Sequence, residues 1–412
     1  MSEVQVPVAS LRQGMYVSAL DRPWVGTPFL FQGFVIQDDE QLSQLRGLCD
    51  FVVVDEELSC VPVPRNPLPV HGARAPAPGT DAAVRRRMRL LRRNARAGYR
   101  HRQTSHGYVR WVLHDSRLGR SVDAEEAREV VGVLVDSIAA DAAAALWLTH
   151  LKNRDEYTSL HCINVCVLTV AFCRELGYAD EDLKTIGLGA LLHDIGKAWT
   201  PLEILNKPGR LTDDEFRVIR RHPEDGYQIM KDTGQVPAEA LAIIRYHHER
   251  LNGRGYPDGL RSHELTTPVL ATAIADVYDA LTSDRVYHAG RPSDAVLRMM
   301  YEDAGGSFGR ELMEGFIRCV GIYPVGSLVE LESGAIGLVV SVEPDSRLLP
   351  EVLLLRDADG RPLEEPMRIS LADKVAEAVS SPWVIRRVVR GEQVDIDPAE
   401  LLLREIGVGL SV

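Results

Sequence analysis

The alternation of apolar and polar residues divides the chain into regions of different predicted structure. Between residues 1 and 60, the β-rich runs PFLFQGFVI and DFVVVD flank a polar, helix-prone stretch, DDEQLSQLRGL, which predicts a small α/β unit. From Asp123 to about Val320, apolar residues recur at helical spacing. Two helix starts in this region carry capping signals, namely Asp123 with Glu126 and Thr212 with Glu215. We therefore expect a helical domain of about 200 residues.

Three further segments complete this division. Residues 61–80 are so rich in proline that we expect an extended linker. An arginine-rich run at 85–102 is compatible with an RNA or membrane contact, but a solvated amphipathic helix is favoured because charge runs usually face water. After Gly321, β-type runs broken by SG and DG turns predict a small β-rich appendage.

The predicted fold class is multidomain and mainly α. A small α/β N-terminal domain, for which we expect a regulatory role, precedes the helical domain, and the β-rich appendage follows it. The predicted boundaries are 1–65 for the N-terminal domain, 66–105 for the Pro-rich then Arg-rich linker and helix, 106–325 for the helical domain and 326–412 for the appendage.

Composition and charge narrow the classes of function. The chain has 412 residues, 45% apolar and 26% charged, which excludes collagen-like, fully disordered and disulfide-scaffold proteins. With 47 basic and 59 acidic residues the net charge is -12, so we expect no DNA partner, and a polyanionic ligand must be held by local chemistry. The N-terminus lacks a signal-peptide pattern, and apolar runs such as 163–173 are shorter than the roughly 20 residues of a membrane span. We expect a cytoplasmic protein without a transmembrane segment, whose six cysteines are reduced core residues.

Histidine and aspartate carry the candidate chemistry of the helical region. His161 shares a predicted helix face with Val165 and Leu168, so we expect its side chain to point inward. One such histidine is more often a satisfied core residue than a ligand, but five occur in one domain. We expect Gly196 to end the helix that carries His193, and we expect His222 to be the last residue of the helix capped by Thr212. The five are His161, His193, His222, His247 and His248.

Two aspartates add carboxylates to this set. Asp194 directly follows His193, and Asp276 lies in an apolar helix where an isolated carboxylate is costly unless it is paired, hydrogen-bonded or metal-bound. Imidazole and carboxylate are ligands for Zn, Mn, Fe or Ni, and no thiolate has a suitable spacing. The two oxygens of Asp194 can bridge two ions about 3.5 to 4 Å apart, the arrangement that activates water and clamps a phosphoryl group. Phosphoester hydrolysis is therefore the predicted reaction class.

Five segments together resemble an HD-GYP domain, the bacterial cyclic-di-GMP phosphodiesterase family within the HD phosphohydrolases. They are YTSLH, HDIGK (193–197), RHPEDGY, HHERLNGRGYP (247–257) and DVYDALTSDRVY (276–287). The resemblance covers roughly residues 122–325 and implies an HD-type helical bundle acting in second-messenger signalling. Residues 1–65 resemble an uncharacterised domain often found ahead of HD-GYP domains.

The resemblance implies a role for each matching residue. Asp194 would bridge two metal ions, and Lys197 would neutralise charge on a phosphate oxygen during catalysis. Arg285 would grip a phosphate through its planar fork, with Lys197 as a second contact. From the residues alone, other roles remain open. Lys197 could be a surface lysine at a helix end, the glycines before Pro257 could form a plain tight turn, and Arg285 could make an exposed salt bridge. The implied metal ligands are His161, His193, Asp194, His222, His247, His248 and Asp276, and the implied substrate-binding residues are Lys197, Arg285, Gly255, Tyr256 and Pro257.

Some positions depart from the family pattern or extend it. Tyr157 stands where some relatives carry a glutamate for a third metal, so we expect two ions. Asn252 replaces a common aspartate, which matters little if the side chain caps a turn. His288 stands where relatives often place a basic residue, so ligand affinity or its pH dependence is expected to differ. Asp279, one turn after Asp276, is either a support for the metal ligands or a structural cap.

The predicted reaction is hydrolysis of cyclic di-GMP to linear pGpG and, as the family suggests, onward to GMP. A water or hydroxide between two divalent ions would attack phosphorus in line with the leaving 3′ oxygen, and iron, manganese, nickel and zinc all suit these ligands. Gly253, Gly255, Tyr256 and Pro257 form the GYP signature, and the resemblance implies diguanylate cyclases or adaptor proteins as partners at this GYP loop, while the oligomeric state stays open. The alternatives are a non-catalytic cyclic-di-GMP receptor or scaffold, and an HD phosphohydrolase acting on another nucleotide.

Overall fold

The structure is a computed structural model that describes residues 3–22, 24, 27–64, 81–149, 157–284, 290–342, 348–375 and 382–405. The chain divides into two compact units. One comprises Met1–Ala83 with Gly321–Ile396, and the other Val84–Val320 with Asp397–Val412. A mainly α, multidomain architecture with strands at both ends of the chain confirms the predicted fold class.

The N-terminal part of the first unit is a four-stranded sheet with one helix. All strand pairs are antiparallel, in the order β1-β4-β2-β3. The helix begins after Asp38, whose side chain accepts a hydrogen bond from the Gln41 amide. Leu45 of this helix is fully buried against the sheet residue Val52 in a shared apolar core. The elements are β1 (Glu3–Pro7), β2 (Tyr16–Leu20), β3 (Phe34–Val35), α1 (Asp39–Leu48) and β4 (Phe51–Asp55).

The strand predicted across PFLFQGFVI was mostly wrong. Only Phe34–Val35 is extended and paired, because Gly33 takes a φ of +76° that interrupts the strand before it. Phe29 and Phe31 are buried within irregular backbone. The apolar character of PFLFQGFVI is therefore explained by the burial of its aromatic side chains and not by strand pairing. The predicted helix at DDEQLSQLRGL and the strand at DFVVVD are confirmed.

The second unit is helical. Its elements are α2 (Asp81–Arg117), α3 (Ala124–Ala140), α4 (Ala142–Leu148), α5 (Tyr157–Glu175), α6 (Asp180–Leu191), a 3-10 helix (Ile195–Trp199), α7 (Leu202–Leu205), α8 (Asp213–Ile219), α9 (His222–Asp232), α10 (Ala238–Tyr246), α11 (Thr267–Thr282), α12 (Ser293–Glu302), α13 (Ala304–Ser307) and α14 (Arg310–Val320). Both predicted helix starts are confirmed: Asp123 caps α3, and Thr212 forms a capping box with Glu215 before α8.

Helix α5 lies at the centre of this unit and packs against α6, α11 and α14. Its residues are buried on every side from Leu160 to Cys173, so it has no solvent face over this stretch. Helix α6 approaches α10 closely at Gly189, where an added Cβ would lie 2.9 Å from the carbonyl oxygen of Ala240. This tight packing brings the ends of several helices together around α5.

The arginine-rich run lies in α2 and is an amphipathic helix, as predicted. Arg93 and Arg100 are exposed, whereas Ala95 is buried. Arg102 departs from the prediction of a solvated face, because its side chain is buried beside α5. The predicted boundary between residues 105 and 106 falls inside this helix.

The C-terminal strands form a five-stranded antiparallel sheet in the order β8-β7-β6-β5-β9. Its predicted turns are confirmed at Gly334 and Gly360, which take φ values of +87° and +78° between paired strands. The elements are β5 (Leu328–Leu331), β6 (Ile336–Ser341), β7 (Glu351–Arg356), β8 (Pro362–Ser370), α15 (Leu371–Val375), β9 (Ile385–Val389), α16 (Gly391–Val394) and α17 (Pro398–Glu405).

The cysteines only partly follow the prediction of a reduced core. All six are free thiols, and four are buried: Cys49, Cys162, Cys166 and Cys173. Cys60 is exposed and Cys319 is half-buried. Cys60 lies beyond β4, where its backbone amide pairs with Gly14 and its side chain is left outside the core. Among the described residues, no helix is both long and apolar enough to cross a membrane.

Candidate metal centre

The structure brings the seven predicted ligands together from five parts of the helical unit. His161 lies on α5, and Asp276 lies on α11. His193 and Asp194 follow α6, His222 begins α9, and the adjacent pair His247 and His248 follows α10. His161 is 3% exposed and shares its buried face with Val165 and Leu168, which confirms its predicted inward direction.

Two local expectations about this region were wrong. Helix α6 ends at Leu191, before Gly196, which lies instead within the 3-10 helix. A Cβ at Gly196 would collide with the carbonyl oxygen of His222 and lie 2.5 Å from the Gly226 nitrogen, so this glycine allows close approach to α9. His222 begins α9 rather than closing α8, because Pro223 fits the first turn of a helix.

The orientation of three imidazoles is set by backbone carbonyls at the ends of α6, α8 and α10. Each Nδ1 is within hydrogen-bond distance of the carbonyl oxygen three residues earlier: His193 to Ala190 at 2.7 Å, His222 to Ile219 at 2.8 Å and His247 to Ile244 at 2.9 Å. Since a carbonyl only accepts, each Nδ1 carries a proton, and the metal-binding form of each ring then presents its lone pair at Nε2.

These lone pairs converge in the interior. The Nε2 atoms of His222 and His247 lie 3.2 Å apart, although neither carries a proton in the neutral rings. The Nε2 of His193 is buried and has no hydrogen-bond partner in the described part of the chain. Buried acceptors that face one another are costly unless a cation lies among them.

Asp194 lies between two groups of imidazoles. Its Oδ1 is 3.2 Å from the Nε2 of His222, and its Oδ2 is 3.4 Å from the Nε2 of His193. The ammonium of Lys197 lies 2.6 Å from the same Oδ2. One carboxylate oxygen is thus directed to each side of the cluster, as a bridging ligand requires.

Asp276 completes the arrangement from α11. Its Oδ1 is 3.1 Å from the Nε2 of His161, and its Oδ2 is 3.7 Å from the Nδ1 of His248. Three sets have ligand atoms that all lie within 4.8 Å of one another: His161, His193 and Asp276; His193, Asp194 and His247; and His222, His247 and His248. Such histidine and aspartate sets suit divalent transition metals.

The pKa shifts of two histidines and one aspartate fit metal ligation. Burial, reinforced by the neighbouring imidazoles, holds the pKa of His247 well below its usual value. Burial likewise lowers the pKa of His248 far below normal, against the charge of Asp276. Burial opposes the charge of Asp194, but Lys197 and His193 outweigh it and hold the Asp194 pKa well below the usual range. Neutral imidazoles beside ionised carboxylates are the forms that bind metal. For His161, burial is outweighed by hydrogen bonds to two carboxylates, which raise its pKa to about 9, so a metal ion would have to displace a proton from this ring.

A loop over residues 252–261 lies beside the cluster and is held by Glu249. This carboxylate is fully buried and accepts hydrogen bonds from the amides of Asp258, Gly259 and Leu260. A Cβ on Gly255 would collide with the Cα of Glu249, so only glycine allows this approach.

Aromatic stacking connects this loop to the cluster. The Tyr256 ring stacks on His248 with centroids 4.6 Å apart, and the guanidinium of Arg220 lies 4.5 Å from the same ring centre. The side chain of Asn252 accepts from the Arg254 amide at 3.0 Å, which meets the condition under which the replacement of aspartate matters little.

Sequence reasoning missed several residues around the centre. Glu249 and Arg220 carry no sequence signal that separates them from exposed charges, although a loop with many free amides could have suggested a buried acceptor. Asp279 was left open between two roles, and its Oδ2 lies 2.8 Å from the Nδ1 of His161. Arg285 and His288 lie outside the described residues, as does the side chain of Tyr157.

Three family models match the chain. Residues 141–312 match an HD domain, residues 3–127 match a domain of unknown function (DUF3391), and residues 328–379 match a KOW domain associated with HD domains. The second match confirms the predicted uncharacterised N-terminal domain and extends it through α2.

The chain is similar to several curated phosphodiesterases. The chain is 37% identical over 367 residues to the cyclic di-GMP phosphodiesterase PA4108 of Pseudomonas aeruginosa, covering 87% of this chain and 86% of that protein. It is 35% identical over 170 residues to the cyclic di-GMP phosphodiesterase response regulator RpfG of Xanthomonas campestris, covering 41% and 45%. It is 36% identical over 177 residues to the 3'3'-cGAMP-specific phosphodiesterase 1 of Vibrio cholerae, covering 42% and 41%. The ordered histidine and aspartate motifs, the HD-domain match and the near full-length relative agree, and the chain belongs to the HD-GYP family of HD-domain phosphodiesterases.

Proposed function

We propose that this protein hydrolyses cyclic di-GMP at one phosphodiester bond to give linear pGpG, and then cleaves pGpG to GMP. The observation that carries this proposal is the convergence of imidazole Nε2 atoms whose Nδ1 positions are tied to backbone carbonyls. Such a preorganised ring of lone pairs, with a carboxylate between its halves, is a cage for divalent cations.

Two ions fit the ligands better than one. His161, His193, Asp194 and Asp276 would hold the first ion, and Asp194 with the three remaining histidines would hold the second. Iron, manganese, nickel and zinc all accept these ligands. Bound cations would supply the Lewis acidity that activates water and neutralises phosphoryl charge.

Lys197 is proposed as a cation that acts on the substrate. Its ammonium is 2.6 Å from Asp194, and its side chain keeps 24% of its surface exposed. Interaction with Asp194 outweighs burial and raises the Lys197 pKa, so the ammonium stays charged at neutral pH. A fixed positive charge beside the bridging carboxylate would stabilise the charge that develops on a phosphate oxygen.

The GYP loop forms one wall of the proposed substrate site. The partly exposed Tyr256, stacked on His248, is proposed as a contact for a guanine base, and Gly255 lets the loop approach the cluster. Pro257 continues this wall, and Arg285 is proposed as the phosphate grip on the basis of the family motif. Diguanylate cyclases or adaptor proteins remain proposed partners of this loop.

The relative of Pseudomonas aeruginosa supports cyclic di-GMP as the substrate, because the similarity to it covers 87% of this chain and 86% of that protein. A relative named for 3'3'-cGAMP makes a mixed-base cyclic dinucleotide the second candidate. Both are cleaved by the same phosphodiester chemistry, so the difference lies in base recognition.

The test is a turnover assay on the full chain reconstituted with Mn²⁺ or anaerobically with Fe²⁺. Cyclic di-GMP and 3'3'-cGAMP are supplied separately, and nucleotide products are separated by chromatography. We expect pGpG followed by GMP from the wild type, and no product from the His193→Ala/Asp194→Ala double variant. His263→Ala, at an exposed position, is the matched control and should retain full activity.

Other outcomes would redirect the proposal. Tight binding of cyclic di-GMP without product would indicate a receptor or scaffold. Product from 3'3'-cGAMP alone would establish the second candidate. Equal turnover by the double variant would refute the site itself.

A further inference from the structure

A chain of buried hydrogen bonds leads from the metal ligand His161 to helix α2. The Nδ1 of His161 lies 2.8 Å from the Oδ2 of Asp279, and the Oδ1 of Asp279 accepts from the Asn164 amide at 3.0 Å. The Oδ1 of Asn164 accepts from the Arg102 guanidinium at 3.2 Å. The exposed fractions of these four residues are 3%, 1%, 2% and 5% in the same order, so solvent does not compete for the bonds.

Four side chains on α5 and α11 form two pairs, each with a spacing of three residues. Asn164 follows His161 by three positions on α5, and Asp279 follows Asp276 by three positions on α11. Residues three apart share a helix face, so His161 lies between the two carboxylates while Asn164 lies behind it. The Nε2 of His161 is directed to Asp276 at 3.1 Å, and its Nδ1 to Asp279. Asp279 therefore sets the rotation of the ligand ring.

His161 differs from His193, His222 and His247 in how it is oriented. Those three use backbone carbonyl oxygens three residues earlier in the chain, whereas His161 uses a side-chain carboxylate. A carboxylate has rotatable bonds and a charge that must be satisfied in the interior. A carboxylate behind a ligating imidazole also makes that ring a stronger donor to metal.

Arg102 determines how Asn164 holds Asp279. Because an arginine side chain only donates hydrogen bonds, the oxygen of the Asn164 amide must face Arg102. The nitrogen of the same amide then points away from Arg102 and donates to acceptors on its other side. That nitrogen donates to Asp279 and to the carbonyl oxygen of Thr149 at 3.3 Å. Burial lowers the pKa of Arg102 to about 10 against the opposing charge of Asp279, so the guanidinium remains charged at neutral pH.

Contacts of helix α2 with the following helices place Arg102 next to Asn164. Asn94 donates to the Asp141 carboxylate at 3.2 Å, and a Cβ on Gly98 would lie 2.8 Å from Leu148. Asn94, Gly98 and Arg102 are spaced by four residues and so lie along one face of the helix. This helix falls within the match to the domain of unknown function, residues 3–127, and outside the HD-domain match, residues 141–312.

We propose that Arg102 is a positioning residue for the metal ligand His161, acting through Asn164 and Asp279. The first metal site then depends on a helix that the HD segment itself does not contain. This inference rests on the proposed function, because it requires that His161 binds metal.

The test is a Mn²⁺ titration of the metal-free full chain, with a competing chelator to resolve two binding steps. Arg102→Met should weaken one step by about tenfold, the lower end of the effect of losing a direct outer partner of a ligand because Arg102 acts through two other residues, and leave the other step within about threefold. Arg102→Lys should recover part of the loss. Arg100→Met, at an exposed position of the same helix, is the matched control and should titrate as the wild type.

A double-mutant cycle tests whether the effect passes through Asn164. In an Asn164→Ala background, Arg102→Met should add less than about twofold, because the connection is already broken. Additive losses, or equal weakening of both steps, would overturn the positioning role. If Arg102→Met does not fold, Asn164→Ala and Arg102→Lys decide by the same site-selective criterion. A wild type that hydrolyses cyclic di-GMP while Arg102→Met binds Mn²⁺ normally would refute this inference alone, and a wild type that takes up no Mn²⁺ would refute the proposed function with it.

Discussion

Replacing Glu249 with glutamine should loosen the loop that carries the GYP motif. The carboxylate is fully buried, and its Oε1 accepts from the amides of Asp258 and Gly259 at 2.8 and 2.9 Å. Its Oε2 accepts from the Leu260 amide at 3.0 Å. A glutamine keeps only one oxygen, and its best orientation serves the first two amides. Its NH₂ group then faces the amide of Leu260, donor against donor.

The magnitude follows from these three bonds. A hydrogen bond to a charged group contributes about 1.5–3 kcal/mol, and a buried donor without a partner costs about 1–3 kcal/mol. Glu249→Gln loses one bond and the charge on the other two, so we expect the loop to be destabilised by about 3 kcal/mol. Since 1.4 kcal/mol corresponds to a factor of ten, opening of the loop should become about 100-fold more frequent.

Amide hydrogen exchange measured by mass spectrometry is the direct assay of this opening. Peptides across residues 253–261 should exchange about 100-fold faster in Glu249→Gln, while α5 peptides keep the protection of the wild type. The matched control is Glu264→Gln, because Glu264 is exposed and accepts a single bond from the Arg261 amide. Exchange in the loop within about twofold of the wild type would show that Glu249 does not hold it.

Three other changes test the surroundings of the site and the first unit. Gly196→Ala should abolish uptake of Mn²⁺, because its Cβ collides with the backbone of His222 and separates two ligand-bearing segments; Gly305→Ala, with open space around it, should bind as the wild type, and normal uptake by Gly196→Ala would contradict the packing argument. Removal of metal with a chelator should lower the free energy of unfolding by about 2.7 kcal/mol when free metal had been at 100 times its dissociation constant. Thermal melts should show this loss in the wild type but not in His247→Ala, and an equal loss in both would place the metal elsewhere. Burial opposes the charge of Asp21, but hydrogen bonds from a neighbouring arginine and a backbone amide outweigh it and lower its pKa below 3.8. Asp21 should therefore stabilise the first unit above about pH 4 and lose this effect as the pH falls through its lowered pKa, so Asp21→Asn should be destabilising at pH 7 and approach the wild type as the pH falls through that pKa. A difference in unfolding free energy that grows toward low pH would have the wrong sign.

Local signals in the sequence were enough for the elements and for the candidate chemistry. The capping box of Thr212 with Glu215, and the glycine turns at Gly334 and Gly360, depend on residues within a few positions of one another, so their patterns can be read directly. The ordered motifs likewise singled out the residues that the fold brings to one place. Five of the seven proposed ligands lie next to or near a glycine- or proline-containing turn that carries its own signature.

Only the tertiary structure decided what surrounds those residues. Arg102 is one arginine in an arginine-rich run, and nothing in its neighbours distinguishes it from the exposed Arg100. Its partner Asn164 is 62 positions away, and Asp279 is 118 positions from His161. The need for glycine at position 196 could not be predicted either, because the backbone that leaves no room for a Cβ belongs to α9. A buried charge is stable only when distant partners satisfy it, and that condition is met by packing rather than by any local pattern.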